Sequence, residues 1–341
     1  MTRYPAPLRI GDRIGVTAPS SPVPAALVPR LEFAIACLQR RGYDVVRGEH
    51  LVGEGLVSAP VEARAAELTS MLTDPSIRAI VPPWGGELAI DLVGVLDWDA
   101  IAAADPTWLV GFSDIATLIT PLTLLTNVAT VHGAHLMDTP YRTPEGMLHW
   151  LDLVSAEPGS TLTQESPGRF REHGHDDWRS NPELTEMTLD GCGRWGVVSG
   201  PESLTVSGRL IGGCIETLGP LSGSRYLNLM AYAQQHAGDG LLVYVEAAQS
   251  EATDIARHLH GMRLSGFFDH ASAVIIGRST APDSDGYTQR EAVQDALGPL
   301  GVPVIAGVEC GHVAPFLPIV NGALGRLEVS AAVNRLEQSL V

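Results

Sequence analysis

Over its first 130 residues the chain alternates short apolar runs with segments of helical periodicity, and this alternation constrains the fold more than any other feature. Leu8 to Val16 leads into a first strand, stopped by Ala18-Pro19-Ser20-Ser21-Pro22. Leu27, Leu31, Ile35 and Leu38 recur at three-to-four spacing and predict a helix ending at Gly42. A strand over Tyr43 to Val46, a helix over Val61 to Leu72 and a strand over Ile77 to Val81 follow, the last broken by Pro82-Pro83-Trp84-Gly85-Gly86. Leu88 to Leu96 reads as helix and Trp108 to Val110 as strand. Ile115 to Leu125 reads as a helix kinked near Pro121, and Val128 to Val131 as a further strand. Such spacing predicts a flavodoxin-like parallel sheet with helices on both faces. Ligands bind at the carboxyl ends of such strands. Three breaks fall there: Ser20-Ser21, Gly85-Gly86 and Ser113-Asp114.

From about Asp138 to Ser207 the periodicity dissolves into a stretch rich in Pro, Gly, His, Asp and Trp. Its length without a pattern is unusual inside a compact domain. It reads as a crossover carrying a short helix, Gly146 to Val154, with loops reaching over the site, or as a mobile surface linker. Strands then return at Arg209 to Gly213, Leu241 to Glu246, Ala273 to Ile276, Val302 to Ala306 and Leu324 to Val329. Helical runs over Ala252 to Arg263 and Arg290 to Leu297 lie between some of them. The expected fold class is therefore α/β: an N-terminal parallel-sheet domain (1–140), a crossover (141–206), and a mixed, β-rich, swivelling-barrel-like domain (207–341). A chain of 341 residues accommodates two domains.

A formal net charge of −17 argues against nucleic acid and anionic membranes as partners. The N-terminus lacks the basic flank and apolar core of a signal peptide, and no run approaches the ~18 apolar residues that span a bilayer. Cys37, Cys192, Cys214 and Cys310 are widely spaced without a C-x-x-C pair, so neither a zinc knuckle nor a disulfide framework is indicated. A reduced, cytoplasmic protein is the expectation.

The chemistry centres on Trp108-Leu109-Val110-Gly111-Phe112-Ser113-Asp114-Ile115, where an apolar run ends at a glycine, a serine follows and a helix begins. That order lifts a hydroxyl from a tight turn toward the free N–H groups of a helix start. The G-x-S-x-G spelling of a nucleophile elbow is incomplete, because Ile115 replaces the closing glycine, and a serine helix cap is the plain alternative. Leu241 to Glu246 is an apolar strand ending on a carboxylate, and Glu309-Cys310-Gly311-His312 follows another strand. A serine activated by an imidazole, itself oriented by a carboxylate, would be Ser113, His312 and Glu246. Backbone N–H groups at Asp114 and the Gly85-Gly86 turn would hold the oxyanion. Other histidines, His132 and His135 among them, also follow the sheet. Cys310 shares a short loop with His312, an arrangement that rarely yields a productive dyad. His173-x-His175-Asp176 is the tightest metal-like cluster, equally well read as a solvated loop. Trp178 and Trp195 could stack on a planar substrate group or pack against their own domain.

Several pieces then occur in one order: Leu8-x-x-Gly11-Asp12-x-Ile14 with Ala18-Pro19-Ser20-Ser21, Trp84-Gly85-Gly86, Gly111-Phe112-Ser113-Asp114, Gly212-Gly213, Val245-Glu246 and Gly311-His312. From about Leu8 to Val329 the chain resembles the LD-carboxypeptidase family of serine peptidases, which includes murein tetrapeptide carboxypeptidases and microcin C immunity carboxypeptidases. The resemblance implies a Ser113–Glu246–His312 triad divided between two domains, an oxyanion hole at Gly86 and Asp114, and a homodimer without metal or organic cofactor. Pro82-Pro83-Trp84-Gly85-Gly86-Glu87 is closer to the immunity branch than to the Arg-Gly-Gly-Tyr-Gly of murein enzymes. It makes Trp84, Gly85 and Glu87, with Trp178 and Trp195, the expected substrate contacts. Cleavage of a small peptide or an aminoacyl-nucleotide amide is thus implied, with murein tetrapeptide hydrolysis as the alternative. Gly212-Gly213-Cys214-Ile215 departs from the family's Gly-Gly-Asn-Leu, which puts an asparagine contact in doubt. A non-enzymatic two-lobed binding protein is the remaining reading, and convergence of Ser113, Glu246 and His312 in space separates it from an enzyme.

Overall fold

The computed structural model describes residues 1–236 and 238–341. In chain order the strands are β1 (Arg13–Val16), β2 (Asp44–Arg47), β3 (Ile77–Ile80), β4 (Trp108–Gly111), β5 (Thr130–His132), β6 (Thr161–Glu165), β7 (Arg169–Phe170), β8 (Gly191–Cys192), β9 (Gly196–Ser199) and β10 (Leu204–Cys214). They continue with β11 (Leu241–Glu246), β12 (Ala271–Gly277), β13 (Val304–Val308), β14 (Ile319–Asn321), β15 (Leu324–Val329) and β16 (Asn334–Ser339). The helices are α1 (Val28–Arg40), α2 (Val61–Thr73), α3 (Ile90–Val93), α4 (Trp98–Ala103), α5 (Ala116–Thr126), α6 (Trp150–Val154), α7 (Ile215–Leu218), α8 (Leu229–Gln235), α9 (Ala252–Leu264) and α10 (Gln289–Leu297).

The N-terminal sheet runs β14-β5-β4-β3-β1-β2, with β1 to β5 mutually parallel and β14 antiparallel to β5. Its order reverses between β1 and β3, and a crevice opens at the carboxyl ends of strands on either side of such a switch. The turns after β1, β3 and β4 carry Ser20-Ser21, Gly85-Gly86 and Ser113 into that crevice. Arg64 on α2 binds two of them together, donating from Nη1 to the carbonyls of Pro19 (2.9 Å) and Leu88 (3.1 Å). The amphipathic α1 buries Leu31, Ala34, Ile35 and Leu38, the stripe its spacing predicts.

The second sheet runs β6-β16-β15-β10-β11-β12-β13-β9. Four central strands, β10 to β13, are parallel, and antiparallel strands flank them on both sides. All six residues of β11 are buried, which a run of Leu, Val and Tyr sustains at roughly 1.5–3 kcal/mol per fully buried large apolar side chain. Gly213 lets α5 lie directly on β10, since a Cβ there would sit 2.8 Å from that of Ala116, and the Thr120 hydroxyl donates to the Gly212 carbonyl at 2.6 Å.

Three differences from the sequence pattern have physical causes. The helix expected over Leu88 to Leu96 is only the four residues of α3, because the chain turns at Gly94 and Asp97 caps a separate α4 by accepting from the Ala100 N–H at 2.9 Å. Residues 141–206 are not merely loops, since β6 and β9 form the two edges of the second sheet. Conversely, β14 leaves the C-terminal part of the chain and completes the first sheet.

Candidate active site

Strand β4 is wholly buried and ends at Gly111. Phe112 is extended, Ser113 takes a left-handed φ of 58°, and a 3-10 turn over Ser113–Ile115 feeds α5. A non-glycine residue in this region costs on the order of 1–3 kcal/mol and tends to mark a functional position. Ile115, where the elbow motif would place glycine, is fully buried. Its Cγ2 would lie 2.8 Å from a Cβ at position 111, so Gly111 makes room for it. The elbow is therefore built with one glycine and a packed isoleucine.

Glu246 ends β11, and His312 lies four residues beyond the end of β13, so the parallel strands on either side of β12 deliver both to one place. His312 Nδ1 is 2.7 Å from Glu246 Oε2, and His312 Nε2 is 2.8 Å from Ser113 Oγ. Gly311, at φ 106°, permits this approach, because a Cβ there would sit 2.3 Å from Glu246 Oε2. Burial opposes ionisation of Glu246, but the imidazoles of His312 and His132 outweigh it and hold the carboxyl at about 2. Burial likewise opposes protonation of His312, yet the Glu246 carboxylate prevails and raises its pKa. An imidazole so placed can take the serine proton and keep the charge it gains.

His132, 1% exposed at the end of β5, is 3.7 Å from the other Glu246 oxygen, Oε1. The His135 ring stacks on Phe112 at 4.3 Å, and its Nε2 lies 3.0 Å from the Phe112 carbonyl. Burial pushes the His135 pKa down to about 3, so that imidazole is neutral in the fold.

Gly85 and Gly86 lie against the serine. A Cβ on Gly85 would fall 3.1 Å from Ser113 Oγ and 3.2 Å from the Asp114 nitrogen. Gly86 has φ 152°, and a Cβ there would lie 2.8 Å from the Ser21 nitrogen. Among the described residues neither the Gly86 nor the Asp114 N–H donates to a protein acceptor. The Asp114 side chain turns away from the serine to accept from the Ser20 hydroxyl and from the Ala89 N–H at 2.7 Å. It thereby ties three strand-end turns together, while burial raises its pKa.

Around Ser113 opens a cleft of about 700 Å³. Trp84, Gly85, Glu87 and Trp178 line it, and Trp84 is held by its indole N–H donating to the Ser21 carbonyl at 3.1 Å. Trp195 does not reach it. Only 4% exposed, that ring packs in the core of its own half and donates to Glu309 Oε2 at 2.6 Å. Trp178 is fixed from behind: its N–H donates to the Tyr141 hydroxyl (2.7 Å), and the Arg30 guanidinium lies 4.8 Å from its ring centre. Sequence reasoning missed Asp138, Tyr141 and Arg171 as lining residues, along with Glu216 and Phe316. The first three lie in or beside the aperiodic stretch, where no spacing marks them. His175 and Asp176 line the cleft too, but Asp176 is engaged by Arg171, Tyr141 and Thr188. The one group of possible metal ligands among the described residues is Cys214, Glu246 and His312, with donor atoms within 4.8 Å. Both imidazole nitrogens are already committed there, and burial keeps Cys214 a protonated thiol, a poor ligand.

A serine, imidazole and carboxylate in hydrogen-bonded sequence at the strand ends of an α/β fold is the constellation of a serine hydrolase. Family models for the N-terminal and C-terminal domains of LD-carboxypeptidases match residues 14–133 and 207–327, and the chain belongs to that family, as a serine-type carboxypeptidase. A carboxypeptidase-named protein of Vibrio cholerae is 27% identical, over 99% of this chain and 98% of its own. The microcin C7 self-immunity protein MccF of Escherichia coli is also 27% identical, over 93% and 90%. A murein tetrapeptide carboxypeptidase of Pseudomonas aeruginosa is 32% identical over 32% of this chain and 35% of its own. MccF in complex with glutamyl sulfamoyl guanosine shares the fold, at a TM-score of 0.82 and 24% identity over 98% of both chains. MccF has also been solved with aspartyl sulfamoyl adenosine and as an active-site mutant in which a serine, an asparagine and a lysine are replaced by alanine.

Proposed function

We propose that the chain hydrolyses the amide bond of aminoacyl- or peptidyl-nucleotide conjugates, with Ser113 as nucleophile, His312 as general base and acid, and Glu246 as the carboxylate that orients it. The observation that carries the chemistry is the hydrogen-bonded run from Ser113 Oγ through His312 to Glu246, at 2.8 and 2.7 Å. As Oγ bonds to the carbonyl carbon, its proton passes to Nε2, and Glu246 stabilises the imidazolium. The N–H groups of Gly86 and Asp114 receive the oxyanion; losing one such donor costs about 2.7–4 kcal/mol. Collapse breaks the C–N bond while Nε2 returns the proton to the leaving nitrogen. Water then cleaves the acyl ester by the same steps.

In this reading residues 1–140 supply the nucleophile, 207–341 supply the glutamate and histidine, and 141–206 cover the cleft. The cleft's volume lies within the range of small-molecule sites, and Trp84 and Trp178 offer faces for a planar base. The ligands bound by MccF support a nucleotide conjugate. The segment shared with a murein tetrapeptide carboxypeptidase favours a second reading, release of D-alanine. That substrate ends in a carboxylate needing a cation, and the only guanidinium lining the cleft among the described residues, Arg171, is ion-paired with Asp176. The family resemblance extends the reading to a cytoplasmic homodimer without metal or organic cofactor. No helix among the described residues is long and apolar enough to cross a membrane.

The test is mass spectrometry of an aminoacyl sulfamoyl adenosine and a murein tetrapeptide, each with wild type and Ser113→Ala. Cleavage of the conjugate, abolished in the variant, is expected. Residual turnover by folded Ser113→Ala would sink the nucleophile assignment, and D-alanine release alone would move the enzyme to the murein reading.

A further inference from the structure

The cleft carries more negative charge than amide hydrolysis uses. Glu54, Glu87, Asp138, Asp176 and Glu216 line it, against the single guanidinium of Arg171. Most of these charges are committed. Asp176 is paired with Arg171 and accepts from Tyr141 and Thr188, both at 2.8 Å. Glu216 Oε1 accepts from the N–H groups of Ala248, Gln249 and Ser250 at 2.9, 3.0 and 3.1 Å, which bolts down the loop after β11. Glu54 accepts from the Ala25 N–H.

Asp138 is different. It is 9% exposed at the cleft wall, and among the described residues no side chain donates a hydrogen bond to its carboxylate. The nearby guanidinium of Arg30 acts on Asp138 through its charge but donates no hydrogen bond to it, bonding instead to the carbonyls of Met137, Pro182 and Leu184 and lying against the rings of Tyr141 and Trp178. Burial raises the Asp138 carboxyl to about 6, so at neutral pH it is largely ionised. The charges of Arg30 and Arg171 offset this carboxylate only in part, since burial still dominates, and a cation that bonds to it directly is correspondingly welcome. The sequence contains no lysine, and Arg171, the one guanidinium lining the cleft among the described residues, is paired with Asp176.

We propose that the cleft selects substrates bearing a cationic group, such as a basic aminoacyl residue, received by Asp138, and disfavours the acidic aminoacyl conjugates that MccF binds. This rests on the amide-hydrolase reading above and adds the charge of its substrate. Asp138 is thereby a specificity-determining residue outside the triad. The discrimination comes from a carboxylate to which no side chain donates, repelling the wrong substrate as much as attracting the right one.

The experiment compares kcat/KM for arginyl, alanyl and aspartyl sulfamoyl adenosine, and in parallel for the L,D-dipeptides of the same three residues with D-alanine. The arginyl compound is expected to exceed the aspartyl one by about tenfold or more, a difference that one unscreened charge supplies. Asp138→Asn should lower the arginyl value, raise the aspartyl value and bring their ratio toward one. Parity or reversal in wild type overturns the proposal, as does an equal fall for all three compounds in the variant. Cleavage confined to the dipeptides overturns the nucleotide-conjugate reading alone, because the charge order in that series still decides this inference. Hydrolysis of no member of either series overturns both.

Discussion

The carboxylate of Glu246 is fully buried and ionised, and its two oxygens face different imidazoles. Oε2 holds His312, while Oε1 has only the edge of His132 at 3.7 Å. The carboxylate is what raises the His312 pKa, so two consequences follow for a mechanism in which neutral His312 is the base. The acid limb of kcat/KM should lie above the ordinary histidine value of 6.5. Glu246→Gln should lower kcat on the order of 10³–10⁴-fold, because the amide favours the wrong tautomer and stabilises no imidazolium. The same substitution should move the acid limb downward, since His312 loses its neighbouring charge. A pH–rate profile of both proteins checks this. An acid limb that stays in place in Glu246→Gln would mean that another group sets it.

At the scale of elements, the strands that positioned Ser113, Glu246 and His312 were legible because each is an apolar run ended by a polar residue or a glycine. Strands β6, β14 and β16 were not, and their buried polar residues explain why. In β16 the inward positions alternate correctly, but two of the three are Asn334 and Gln338. Gln338 accepts from the Val320 N–H at 2.8 Å and donates to the Pro318 carbonyl at 3.0 Å, satisfying backbone groups of β14 and of the residue before it. Gln164 of β6 donates to the same carbonyl at 2.9 Å. A polar side chain that solves a backbone problem reads in sequence as a surface residue. The cleft residues Asp138, Tyr141 and Arg171 escaped notice for a related reason: chain crossing, not periodicity, brings them to the serine. Strand β14 shows the energetic stake. Asn321 is buried and joins the two sheets, donating to Thr130 on β5 at 3.1 Å and accepting from Tyr244 on β11 at 2.8 Å. Asn321→Ala strands a buried phenol and should cost about 2–3 kcal/mol of stability in urea unfolding. A loss under ~0.5 kcal/mol would deny β14 this role.

The whole molecule behaves as one thermodynamic body around the cleft, because both apolar clusters draw residues from both sheets. Its pH dependence is set by buried groups of opposite sign. His135 is held neutral, with a pKa near 3 against an ordinary 6.5, so the unfolded chain binds a proton that the fold refuses. That costs nothing above pH 6.5 and grows as pH falls toward 3, reaching about 2 kcal/mol at pH 5. Asp138, raised to about 6, works the other way: the fold binds its proton first, so stability is regained as pH falls through 6. His312, also raised, contributes stability that is fully present at low pH and lost as pH rises through its folded pKa. Wild type should therefore show a flatter stability profile between pH 7.5 and 5 than any one group would give. His149, which burial lowers to about 4, opposes in the same way; His135→Gln removes the His135 share alone and keeps a side chain able to bond to Phe112. Relative to wild type, the variant should gain about 2 kcal/mol on going from pH 7.5 to pH 5, measured by urea unfolding at both values. An unchanged difference would mean that His135 titrates normally in the fold and that its burial is relieved by motions of the cleft.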